Sequence, residues 1–163
     1  MELMERAERV GQLLVEHGWR ISVAESTAGG LISAALLKVP GASRYFERGV
    51  VAYSRAAKLD TLGMPSTLYT AQGSVHREAV KAMAEGVRRI SGAQVGVGES
   101  GVAGPSGGSS GLAIGTVWVA VVTPERDLQR ELHLSGNRVE VMDGIVERVL
   151  EMLEEVLAPV RSA

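Results

Sequence analysis

Apolar side chains at Leu3, Ala7, Val10, Leu13 and Leu14, with charged residues between them, recur at the spacing of one helix face and predict a helix over residues 2–17. The small and apolar run at 20–24 predicts a buried strand, and a helix over 30–38 follows, closed by Pro40-Gly41. Weak alternation around Val50-Val51 predicts a strand from Arg48 to Tyr53, after which Ser54 stands as the N-cap of a helix. Pro65 to Leu68 opens a short helical turn. Ala79, Val80, Met83, Ala84, Val87 and Ile90 mark an amphipathic helix from Arg77 to Ile90. Residues 94–98 predict a strand running into Glu99-Ser100-Gly101, and Ile114–Val122 and Asp127–Leu134 predict two more, joined by a hairpin turn at 123–126. A last helix covers residues 138–158. Between the third and fourth strands, GVAGPSGGSSG carries five glycines in eleven residues and reads as a loop. Helices alternate with strands and a hairpin follows, so the expected fold is α/β: a three-layer α/β/α sandwich on a mixed sheet.

Composition narrows the function classes. The chain of 163 residues is 45% hydrophobic, enough for one domain with a core, and neither a repeat nor a linker divides it. Seventeen basic and nineteen acidic residues leave a net charge of -2, which argues against nucleic-acid binding; the local pair Arg88-Arg89 reads as a solvated helix end. With no cysteine there is no disulfide framework, thiolate zinc site or cysteine nucleophile. No metal site is expected. The N-terminus lacks the pattern of a secretory signal, and no apolar run is long enough to cross a bilayer. A cytoplasmic protein without a membrane partner is the expectation.

The candidate chemistry sits where strands end. In SVAESTAGG, Ser26 follows a strand and precedes a helix, where backbone N–H groups and the positive end of the helix dipole converge. Two readings stand: a helix cap, or a nucleophile whose oxyanion is held by backbone amides near Ser26–Gly30. Gly29 and Gly30 would admit a substrate close to the backbone. His17 closes the first helix and His133 alternates within a strand, so neither offers Ser26 a base. Among the lysines, Lys38 and Lys81 sit at ordinary helix positions, whereas Lys58 follows Tyr53-Ser54 at the mouth of the second strand. The glycine loop after Ser100 is either a flexible connection or a set of amides for a phosphate or carboxylate.

Six segments in order, AESTAGGLIS, PGASRYFERGVVAYSRAAKLDTLG, QGSVHREAVKAMAEGVRR, SGVAGPSGG, GTVWVAV and LSGNR, resemble the CinA C-terminal domain family over about residues 5–157. The resemblance implies an α/β/α fold and a nicotinamide mononucleotide amidohydrolase, which yields nicotinic acid mononucleotide and ammonia without a cofactor. It makes Ser26 the nucleophile, Lys58 its base and Tyr53 a residue of the site. It places Thr27, Gly29, Gly30, Ser100, Gly101, Gly107 and Gly108 along the ligand, and Arg138 on its phosphate. It also implies a small-molecule nucleotide as substrate and a homo-oligomer. Some members carry an N-terminal domain; this sequence, 1–163, reads as the stand-alone version.

The sequence departs from the family pattern at several positions. Ala28 replaces a hydroxyl residue, His76 a serine, and Glu99 a small or apolar residue. Residues 109–113 replace acids and a Lys-Pro pair, Asn137 an acid, and Met142 an arginine. These changes raise an alternative: a non-catalytic nucleotide-binding or assembly domain on the same scaffold. A third reading pairs His76 with Glu99 as acid and base for a different amide or ester, provided that they meet in space.

Overall fold

The structure, a computed structural model, describes residues 1–107 and 110–159. Its elements run α1 (Leu3–His17), β1 (Ile21–Glu25), α2 (Leu31–Leu37), β2 (Phe46–Val51), α3 (Arg55–Asp60), α4 (Arg77–Ser91), β3 (Val95–Gly101), β4 (Thr116–Val122), β5 (Asp127–His133) and α5 (Arg138–Leu157). The strands form one sheet in the order β2-β1-β3-β4-β5. β1 pairs in parallel with β2 and β3, while β4 and β5 continue the sheet antiparallel. The expected mixed sheet with helices on both faces is present. β2 lies two residues earlier than expected, because its pairing starts at Ile21↔Phe46. β4 starts at Thr116, after Gly115 turns with φ +90° beside the Leu134 carbonyl, a conformation that suits glycine.

Alternation along the strands sorts the core into two layers. Ile21 and Val23 of β1, Val95 and Val97 of β3, and Val117, Val119 and Val121 of β4 pack with α1, α2 and α5. Ala24, Ala120 and Val122 pack with α4 and with Leu62 and Met64. On β3 the alternation is Val-Gly-Val-Gly. A Cβ at Gly98 would overlap the Val80 carbonyl oxygen and stand 2.8 Å from the Ala84 amide nitrogen. The glycines therefore let the α4 backbone lie directly on the sheet. The same parity carries past the core, sending Glu25 and Glu99 toward the α2 layer and Ser26 and Ser100 toward the layer of α3 and α4. No helix among the described residues is long and apolar enough to cross a membrane.

Candidate active site

α2 is the element that the Ser26 turn leads into, and its N-cap is Gly30, at φ +101° and without a side-chain cap. Ser26 is therefore not the helix cap. Glu25 does that work: its Oε1 accepts from the N–H groups of Gly30 at 3.1 Å and Ile32 at 2.9 Å. Its Oε2 accepts from the Ser33 N–H at 2.9 Å and the Ser33 hydroxyl at 2.7 Å. A carboxylate on the first turn also opposes the positive end of the helix dipole.

Glu99 closes the preceding turn. Its Oε2 accepts from the N–H groups of Ser26 and Ala28, both at 3.0 Å, and its Oε1 from Thr27 N–H at 3.1 Å. Gly29 N–H donates to the Ser26 carbonyl at 3.2 Å. Every amide from Ser26 to Gly30 thus has an internal acceptor, which corrects the expectation that these groups hold an oxyanion.

The Ser26 hydroxyl itself faces α3. Lys58 Nζ donates to Ser26 Oγ at 3.0 Å and to the Tyr53 carbonyl at 2.8 Å. Ser54 caps α3 through the Ala57 N–H, as expected, and so fixes the helix that carries Lys58. Lys58 is 2% exposed, and burial pushes its amine below the usual lysine range, while the Glu99 carboxylate pulls it back upward. Burial likewise pushes the Glu99 carboxyl up to about 7, against the hydrogen bonds from Ala28 and Ser26 and helped by the charge of Glu25.

Above the pair opens a cavity of about 510 Å³ lined by Ser26, Thr27, Tyr53, Lys58, Ser100, Gly101, Gly107 and Arg138, together with Arg55, Tyr69 and Ser74. Beside Lys58, two arginines, Arg55 and Arg138, and no acid line it among the described residues. Thr27 Oγ1 accepts from the Gly101 N–H at 2.8 Å and donates to its carbonyl at 2.9 Å, binding the two strand ends together. The hydroxyls of Ser74 and Ser100 stand 2.8 Å apart, so one of their two protons joins them and the other remains for the cavity. Arg138 Nη1 donates to the Gly104 carbonyl at 2.8 Å, and the Arg55 guanidinium lies 5.3 Å from the centre of the Tyr69 ring. Tyr53, 63% exposed, reaches Lys58 through its main chain and places its ring at the rim.

Not every expected residue arrives in the cavity. Gly29 faces Met142 and Gly30 faces Val51, and neither lines it. Ala28 is fully buried in the core, so the hydroxyl absent there takes nothing from a ligand. Met142 packs toward the same turn rather than the cavity. His76 caps α4 by accepting from Ala79 N–H, and its Nε2 bonds the Leu68 carbonyl at 2.6 Å. Glu99 bonds the Ser26–Ala28 amides instead, so the His76–Glu99 pairing is not formed. Gly108 lies outside the described residues. His17 bonds the Leu157 carbonyl and stacks on Trp19. His133 pairs with Glu131 on an exposed strand. The parts missed in the sequence are Ser74, Arg55 and the roles of Glu25 and Glu99 as acceptors for the turn amides; a lone acid inside the apolar strand VGVGES is the sign that Glu99 has buried partners.

The chain is similar to known proteins in sequence and in fold. A relative from Desulforamulus reducens that carries the name competence-damage inducible protein is 43% identical over 154 residues, covering 94% of this chain. The chain spans 37% of that relative's own length, and 35% of a CinA-like protein from Syntrophobacter fumaroxidans that is 38% identical over 148 residues and covers 91% of this chain. Among solved structures, a competence-damaged protein (CinA) superfamily protein from Klebsiella pneumoniae superposes with a TM-score of 0.92 at 30% identity, covering 97% of this chain and 99% of that one. The competence/damage inducible protein CihA from Agrobacterium tumefaciens gives 0.90 at 34% identity, covering 96% of each. Residues 3–157 match the family described as CinA C-terminal domain, and the chain belongs to that family.

Proposed function

We propose that this domain is an amidohydrolase that converts nicotinamide mononucleotide and water to nicotinic acid mononucleotide and ammonia. The observation that carries the reading is the hydrogen bond between the buried Lys58 amine and the Ser26 hydroxyl beneath a cavity lined by Arg55 and Arg138. A desolvated lysine loses its proton more readily than a free one, and in the neutral form it takes the serine proton. Ser26 Oγ then attacks the carboxamide carbon. The resulting oxyanion is served by the spare hydroxyl proton of the Ser74–Ser100 pair. Lys58 passes its proton to the leaving nitrogen, and ammonia departs. A water molecule, deprotonated by Lys58, hydrolyses the ester on Ser26 and restores both residues. Arg138 and Arg55 attract the phosphate, since guanidinium groups bind such oxygens in a bidentate manner. Thr27, Ser100, Gly101 and Gly107 shape the wall on which the nucleotide rests. No cofactor enters this scheme. As the resemblance implies, the enzyme works as a homo-oligomer.

The amides closed by Glu99 favour a second reading, a nucleotide-binding domain without turnover. Incubation with nicotinamide mononucleotide separates the two. Equimolar ammonia and nicotinic acid mononucleotide, formed by the parent protein and not by Lys58→Met, are expected. A thermal shift by the nucleotide with no ammonia would overturn catalysis in favour of binding alone. Neither shift nor product would overturn both.

A further inference from the structure

Ser26 is held from two directions. Its N–H donates to Glu99 Oε2 at 3.0 Å, and its Oγ accepts from Lys58 Nζ at 3.0 Å. The carboxylate and the amine are thus set on opposite sides of one residue, both in the interior of the protein. Packing alone does not call for an acid here. The same face of β3 carries Val95 and Val97, and a third apolar side chain would extend that core. It would also leave the N–H groups of Ser26, Thr27 and Ala28 without their acceptor, an expensive arrangement in a buried turn.

We propose that Glu99 is a positioning residue for the Ser26–Lys58 pair: its carboxylate fixes the turn that carries Ser26 through three consecutive amides and stabilises the ammonium form of Lys58. The inference rests on the reading of Ser26 as nucleophile and Lys58 as base, yet its effect on Lys58 exists without substrate. When Ser26 gives its proton to Lys58, a positive charge forms on Nζ, and a buried carboxylate nearby favours that charge. Glu99 itself takes no proton from the substrate. By occupying the amides of Ser26–Ala28 it also directs the oxyanion to the opposite wall, where Ser74 and Ser100 stand. Among charged groups, Glu25 from β1 raises the Glu99 carboxyl, and Glu99 in turn raises the Lys58 amine on α3. β4 sets Val119 opposite it and α5 sets Met142 against the turn at Gly29, both uncharged.

The test needs no turnover, because the chain has only three lysines, Lys38, Lys58 and Lys81. The protein is labelled with 13C at lysine Cε, Lys58 is assigned with Lys58→Met, and its signal is titrated in the parent and in Glu99→Gln. Removal of the carboxylate is expected to lower the Lys58 midpoint by about one pH unit, a roughly tenfold rise in the neutral fraction at a given pH below it. Glu99→Asp, which keeps the charge, is expected to restore most of the parent value. The acid limb of the kcat/KM profile should move with the midpoint in Glu99→Gln. A Lys58 midpoint unchanged in Glu99→Gln overturns the proposal and reduces Glu99 to a structural tie. Should Glu99→Gln fail to fold, the reciprocal titration decides. The Glu99 carboxyl, assigned through its own backbone, must titrate higher in Lys58→Met than in the parent, and equal midpoints overturn the proposal. A shifted Lys58 in a protein that releases no ammonia would sink the proposed function while leaving this charge coupling in place.

Discussion

Glu25 offers the most direct test of how the turn is built. In Glu25→Gln the volume is nearly unchanged, but one carboxylate oxygen becomes an NH2 group. The parent oxygens take four hydrogen bonds, two at Oε1 from Gly30 and Ile32 and two at Oε2 from Ser33. A glutamine oxygen turned toward Gly30 and Ile32 leaves its NH2 facing the Ser33 N–H, donor against donor. The Ser33 hydroxyl can rotate to accept, whereas the N–H cannot. The substitution thus orphans one amide in a largely buried helix start, at about 1–3 kcal/mol, and turns the remaining charge-assisted bonds into neutral ones. It also removes the charge opposing the dipole of α2, adding about 0.3–1 kcal/mol. A loss of about 3 kcal/mol is expected, or a fall of about 6–12 °C in the unfolding temperature for a domain of this size. Urea denaturation followed by far-UV circular dichroism measures it, with equal m-values required for the comparison. A change below about 0.5 kcal/mol would refute the assignment of Glu25 as the cap of α2.

Three further outcomes follow from the same geometry. The Glu99 carboxyl, pushed from its ordinary 4.5 to about 7, binds its proton more tightly in the folded than in the unfolded chain. Its contribution is therefore full below about 4.5 and lost as the pH rises through about 7, a fall of about 3 kcal/mol that Glu99→Gln should abolish. Parallel stability–pH curves for parent and variant would contradict this. Gly98→Val forces a side chain into the α4 backbone and should destabilise by about 1–3 kcal/mol or more, with kcat falling as Ser74, just before α4, shifts; an unchanged melting curve would count against the close approach. Arg138→Ala should raise KM for nicotinamide mononucleotide about tenfold or more while leaving the unphosphorylated riboside nearly unaffected, and an equal effect on both would remove Arg138 from the phosphate.

Much of this fold is written in local pattern. The stripe of α4, the Ser54 cap and the hairpin between β4 and β5 are each decided by residues within a few positions of one another. Ser26, Thr27, Lys58, Ser100, Gly101, Gly107 and Arg138 were expected at one site on the strength of their motifs, and the cavity gathers them. What local pattern did not carry was the inside of the Ser26 turn. Glu99 meets the amides of Ser26–Ala28 only because β1 and β3 are neighbours in the sheet, with Ala24 level with Gly98. That pairing joins segments more than seventy residues apart, and nothing in either segment alone announces it. Of the positions that depart from the family pattern, Ala28 belongs to the core and Met142 packs toward the turn at Gly29. Lys58 stands out in the sequence by its place after Tyr53-Ser54; its burial is set by the direction in which α3 leaves β2 and by the Tyr53 carbonyl that receives it.

The central claim is that Ser26 is the nucleophile toward a nicotinamide nucleotide. The rate of ammonia release from nicotinamide mononucleotide by Ser26→Ala, beside the parent protein at equal concentration and with folding verified by thermal unfolding, tests it most directly. The account predicts a loss of at least about 1,000-fold, as removal of a covalent nucleophile gives elsewhere, with nucleotide binding retained. Release within about tenfold of the parent would contradict it, because a hydroxyl that can be deleted at so small a cost is not the attacking group.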